Sequence, residues 1–151
     1  MRELKTGLKF DIIMMFHVLE HLRHPAEYLH GLTNILTKEG RIFIEVPDVD
    51  DALISLYNIQ AFKKFYFQKA HLYYFSKETL MKVCEKAGLT ASVKGIQRYD
   101  FSNHIHWMIT GKPGGQGLYK NIFSDSFRRQ YNRILIENGY ADTLWATAKK
   151  I

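Results

Sequence analysis

Two runs decide the fold of this chain: FDIIMMF at residues 10–16 and RIFIEV at residues 41–46. Each is short, continuously apolar and bounded by polar residues, the pattern of a strand buried on both faces of a parallel sheet. Between them, HVLEHLRH leads into Pro25, whose fixed φ suits the first turn of a helix. Ala26, Leu29, Leu32, Ile35 and Leu36 then recur at helical spacing, and Lys38-Glu39-Gly40 stops the helix. Pro47 closes the second run. Strand, helix and strand at this spacing predict a right-handed crossover between parallel strands.

Working outward, DDALISLYN and QAFKKFYFQ read as looser helical segments. Ser76 then caps a helix with Leu80, Val83, Cys84 and Ala87 as its apolar stripe, ended by Gly88. TASVKGIQRY and NHIHWMIT read as strands, and GKPGGQG at 111–117 as a plain turn, since its glycines fit neither phosphate-cradling pattern. YKNIFSDSFRRQYNRILIEN reads as a helix whose inner face is Ile122, Phe123, Phe127, Tyr131, Ile134 and Leu135. DTLWATAKK closes as a strand. The expected fold class is α/β with a mainly parallel sheet, in a single domain over 1–151. Residues 112–140 form a loop plus helix inserted before the last strand.

The chain has 151 residues, 46% hydrophobic and 24% charged, a globular balance that excludes wholesale disorder. A lone Cys84 forms no internal disulfide or zinc knuckle, and no apolar run reaches the roughly 18 residues that span a bilayer. MRELKTGLKF has no signal-peptide core. These features predict a cytoplasmic protein without membrane partners. The net charge is +6, and its excess is uneven: residues 112–151 hold seven basic and three acidic groups. Such a surplus assists an anionic ligand or simply solvates a surface.

The turn after the first run is the segment richest in chemistry. His17, Glu20, His21 and His24 are spaced three, four and seven apart, one face if the turn is helical. An imidazole there accepts the proton of an acceptor hydroxyl, and the Glu20 carboxylate orients it. A hydrogen-bonding network that merely holds the turn fits the same residues. Glu45, Asp48, Asp50 and Asp51 follow the second run, as acceptor contacts or as a solvated loop and helix cap. FKKFYFQKAHLYYF at 62–75 interleaves lysines with aromatics, which suits a roof over an acceptor pocket better than nucleic-acid stacking. Asn103, His104, His106 and Trp107 alternate, so on a strand His104 and His106 share a face.

FDIIMMFHVLEHLRHPAEYLHGLTNIL, EGRIFIEVPD and HLYYFSKETLMKVCEKAGL together resemble the second half of a class I S-adenosylmethionine (SAM)-dependent methyltransferase with a Leu-Glu-His turn. The resemblance implies the C-terminal half of a Rossmann-like doubly wound sheet, strands four to seven, with an antiparallel last strand. It implies SAM as cofactor, with Met15, Phe16, His17 and Val18 lining its methionine part. The catalytic candidates are His21 as base, His17 as the alternative and Glu20 as orienter. Asp48, His71, Tyr73 and His104 are the acceptor contacts, the acceptor being a small molecule or saccharide.

Some relatives hold a divalent ion at this turn with Glu-x-x-Glu-His and a later His. Here His17 replaces the first carboxylate, so no metal is assigned, and Glu20, His21 and His71 are the fallback ligands. The family's glycine-rich turn and its acidic strand end would lie before residue 10, where Gly7 is the single glycine. Weak or absent SAM binding by this chain alone follows. Methyltransferase activity is therefore implied by the family and open for the chain. The alternative is a non-catalytic module that binds a protein or RNA partner through its basic, aromatic surface. With its neighbour strand absent, the 10–16 strand is expected to expose an apolar edge and form a homodimer.

Overall fold

The computed structural model describes residues 7–151. The chain forms two compact units. Among the described residues, the first comprises 7–47, 72–94 and 144–151, and the second 48–71 and 95–143.

The first unit is built on a four-stranded mixed sheet of order β1-β2-β4-β3, with β1 Phe10–Phe16, β2 Leu36–Pro47, β3 Leu89–Ile96 and β4 Thr143–Lys150. β1 and β2 are parallel, as the crossover predicts, with Ile13 opposite Ile42 and Phe16 opposite Glu45. The crossover helix α1, Pro25–Thr33, has Pro25 at its first turn and stops earlier than its periodicity suggests. Leu36 already belongs to β2 and Ile35 to the turn before it, where its O accepts the Phe10 N–H at 2.8 Å. The register then jumps between Phe10–Leu36 and Ile12–Arg41, so Lys38-Glu39-Gly40 is an irregularity within β2 rather than a helix stop. A Cβ at Gly40 would meet Leu36 Cγ at 2.7 Å, so this fold-back requires glycine.

Helix α4, Lys77–Lys86, starts at the Ser76–Thr79 capping box. Its Leu80 and Cys84 join Leu29 and Leu32 of α1 on a core shared with Ile42, Ile44, Val46, Leu89, Leu144 and Ala146. Burial pushes the Cys84 thiol up to about 11, so it packs as a small apolar group.

β1 departs from expectation. Of its residues only Met15 is buried; Ile12, Met14 and Phe16 alternate on one face and are 57%, 64% and 44% exposed. The reason is its place at the end of the described sheet, so a run composed for two-sided burial has one side covered.

The second unit is helical: α2 Ala52–Ser55, α3 Gln60–Tyr66, α5 Phe101–Thr110 and α6 Asp125–Glu137. NHIHWMIT is not a strand but most of α5. Asp100 caps it by accepting the Asn103 N–H at 3.0 Å, and Gly111 ends it at φ 64°. His104 and His106 therefore lie two apart on a helix and do not share a face. Trp107 is buried edge-on against Phe62 at 5.0 Å.

The glycine turn after α5 packs back against that helix. A Cβ at Gly115, φ 81°, would fall 2.3 Å from His106 Cβ. α6 starts at Ser124, not Tyr119, and of its expected inner face Leu135 is buried while Ile122 and Ile134 are 73% and 49% exposed. Phe123 and Phe127 instead stack edge-on with Phe101 beside the helix start. Among the described residues, no helix is long and apolar enough to cross a membrane.

Candidate functional site

The site of interest in the first unit begins where β1 stops. His17 leaves the strand at φ 52°, a left-handed conformation uncommon outside glycine. Its backbone still closes the ladder, donating N–H to Glu45 O at 2.9 Å. Leu19, fully buried, then plugs the core, and the Leu-Glu-His segment becomes a single 3-10 turn, Leu19–His21.

That reversal aims the His17 ring between two buried carboxylates. Nδ1 lies 3.5 Å from Glu20 Oε1, and Nε2 lies 3.4 Å from Glu45 Oε1. Glu20 is 1% exposed and its backbone O accepts the N–H groups of Leu72 and Tyr73. Neither of its carboxylate oxygens accepts a hydrogen bond. His21 Nε2 stands 4.0 Å from Glu20 Oε1. The turn thus brings together His17, Glu20 and His21, as the spacing predicts. It does not bring His24, which begins α1 beside Glu27 in solvent.

Met15 is a core residue, while Phe16 and Val18 are exposed at the strand end. Phe16 leans on Trp145, which also meets Phe43. Tyr73 stacks on Phe75 and donates its hydroxyl to Arg23 O at 3.0 Å.

The other predicted residues fall in the second unit. His71 is its residue before Leu72. Asp48, buried, holds the Asp50 N–H at 3.0 Å. Asp51 is the cap of α2, accepting the Leu53 N–H at 2.6 Å. Burial pushes its carboxyl up to about 7; that N–H bond opposes the shift, and the Asp142 and Asp48 charges add to it.

His104 is 1% exposed. Tyr131 Oη lies 2.6 Å from its Nδ1 and 2.8 Å from Tyr57 Oη, a continuous, partly buried chain. Burial drives His104 down to about 4, against the pull of Asp100, and raises the Tyr131 hydroxyl. Asp142, raised by burial, accepts the N–H groups of Arg98 and Tyr99. Sequence reasoning missed Asp142 and gave Tyr131 an apolar role, since nothing local marks a buried hydrogen-bonding partner.

The chain belongs to the methyltransferase-domain family, whose profile matches residues 1–92. Solved structures share the fold. A SAM-dependent methyltransferase from Archaeoglobus fulgidus aligns over 94% of this chain and 60% of its own, at 19% identity and TM-score 0.55. A Thermotoga maritima protein described as a SAM-dependent methyltransferase, possible histamine N-methyltransferase, aligns over 97% and 60%, at 21% identity and TM-score 0.56. The Haemonchus contortus phosphoethanolamine N-methyltransferase 2 aligns over 93% and 33%, at 13% identity and TM-score 0.52. No curated protein matches the chain. It spans about 60% of the length of the first two structures, and its four strands correspond to part of a Rossmann-like methyltransferase sheet.

The described residues suit one end of SAM. A buried carboxylate with no hydrogen-bond donor, Glu20, fits a cationic neighbour, and Phe16 and Val18 offer exposed apolar surface at the end of β1. The glycine turn and acidic strand end that would hold the adenosine have no counterpart among the described residues.

Proposed function

We propose that this chain is the C-terminal part of a SAM-dependent methyltransferase, strands four to seven with the last antiparallel, acting on a small-molecule or saccharide acceptor. The observation that carries this is the Glu20 carboxylate set between the His17 and His21 imidazoles, inside the segment that matches the family. SAM, when bound, supplies a methyl group already activated on a sulfonium. The protein's own work is positioning, exclusion of water and removal of a proton.

The Glu20 carboxylate, 4.0 Å from His21 Nε2, stabilises the imidazolium that forms when His21 takes the acceptor's proton. His17, tied at both ring nitrogens to carboxylates, holds the turn in place and lines the methionyl end with Met15, Phe16 and Val18. The exposed edge and face of β1 pair with a second copy of the chain.

Transfer of labelled methyl from SAM to a panel of saccharides and hydroxylated small molecules tests the reading, using the longest natural polypeptide that contains these residues. Label in an acceptor supports it. Tight SAM binding with no transfer to any acceptor would make this a binding module instead.

A further inference from the structure

The basic surplus of the last forty residues plays no part in the site at the end of β1, but two of its members, Arg128 and Arg129, line one concavity of the second unit. A cavity of about 390 Å³ is lined by Arg98, Arg128 and Arg129. We propose that this cavity binds the phosphoryl group of a small ligand. The proposal is independent of methyl transfer and of the turn that holds Glu20.

The lining is organised by α6. Asp125, Arg128, Arg129 and Asn132 stand at i, i+3, i+4 and i+7, one face of the helix. Its two carboxylates are already engaged. Asp100 Oδ1 accepts the Asn103 N–H at 3.0 Å, and Oδ2 accepts the Gly117 N–H at 3.1 Å with Arg128 Nη1 at 3.7 Å. Asp125 pairs with Arg128. Together they fix the Arg128 fork, and the lining carries three arginines against two aspartates.

Two observations point to an absent acceptor. Arg128 Nε is buried with no hydrogen-bond partner, and Arg129 makes no ion pair among the described residues. A buried guanidinium N–H without an acceptor carries a desolvation cost that an anionic oxygen removes. Planar guanidinium forks match phosphoryl oxygens in pairs, which a lysine cluster would not do. The volume lies in the small-ligand range and exceeds a bare phosphate, leaving room for the group that bears it.

The full chain should be titrated calorimetrically with inorganic phosphate, glucose 1-phosphate, uridine monophosphate, glucuronate and glucose. Saturable binding of the phosphorylated probes, with glucose silent and glucuronate weaker, is expected. Whether the sugar phosphate or the nucleotide binds more tightly identifies the source of the phosphoryl group. Arg129→Gln, an exposed and unpaired position, should weaken binding about tenfold, the loss of one charge-assisted contact. Asn132→Asp, which adds a third carboxylate to the lining, should abolish it. Failure of every phosphorylated probe to saturate at about 10 mM, weaker than ordinary metabolite recognition, would overturn the proposal. So would binding unchanged in both variants, or glucuronate binding more tightly than the phosphorylated probes.

Discussion

His17 and Glu45 are joined twice: the His17 backbone N–H donates to Glu45 O at 2.9 Å, and its ring Nε2 lies 3.4 Å from Glu45 Oε1. The backbone contact holds His17 at φ 52° while the ring contact keeps a buried carboxylate company. Glycine relieves the first and abolishes the second; alanine abolishes the second without relieving the first. His17→Gly should therefore be more stable than His17→Ala by about 1 kcal/mol. Urea denaturation of the two variants side by side checks the difference, and equal midpoints would mean the turn relaxes away from this conformation.

Asp51 and His104 give opposite pH dependence over overlapping ranges. Asp51 rises from 3.8 to about 7 on folding, so between those values the folded chain holds a proton that the unfolded chain releases. Its contribution makes the chain less stable as pH rises through that window. His104 falls from 6.5 to about 4, so the unfolded chain binds the extra proton and its contribution makes the chain more stable as pH rises. Asp142, also raised by burial, adds to the Asp51 slope, so the wild-type stability should fall between pH 4.5 and 6.5. Asp51→Asn, which retains a capping side chain, should show a shallower fall than the wild type, or a rise. His104→Gln should show a steeper fall. Thermal melts across the window read both slopes, and parallel slopes in the two variants would contradict the assignment.

How much of this was legible in the sequence depends on how local the cause is. FDIIMMF and RIFIEV announce parallel strands because their apolar continuity is a local property, and the Ser76 cap and His17–Glu20 spacing are local too. NHIHWMIT misled because its alternating pattern suits a strand; one cap at Asp100 and one left-handed glycine at 111 make it a helix. Glu45 reaching His17 depends on the register that sets Phe16 opposite Glu45, which no spacing in either run reveals. The exposure of Ile12, Met14 and Phe16 depends on what lies beside β1, a property of the sheet and not of the run.

The exposed β1 face should drive self-association. Ile12, Met14 and Phe16 present apolar area worth roughly 25 cal/mol per Å² once covered, beside a strand edge that β2 leaves open. Size exclusion with light scattering should show a dimer that Met14→Lys converts to monomer. A wild-type monomer at high concentration would show that this face needs no second copy.

His21→Ala should separate chemistry from binding. In the polypeptide used for the transfer assay, loss of a proton acceptor lowers kcat by about 10²–10⁴-fold and leaves the KM for SAM within a few-fold. A parallel fall in SAM affinity and kcat would give His21 a purely structural role at the turn.

Calorimetry of the purified chain with SAM tests the central claim most directly. The described residues suit the methionyl end and offer nothing for the adenosine, so the account predicts a Kd of about 1 mM or weaker, about −4 kcal/mol. Saturable binding with a Kd of about 1 μM, about −8 kcal/mol, would contradict it, since the chain would then hold the whole cofactor site.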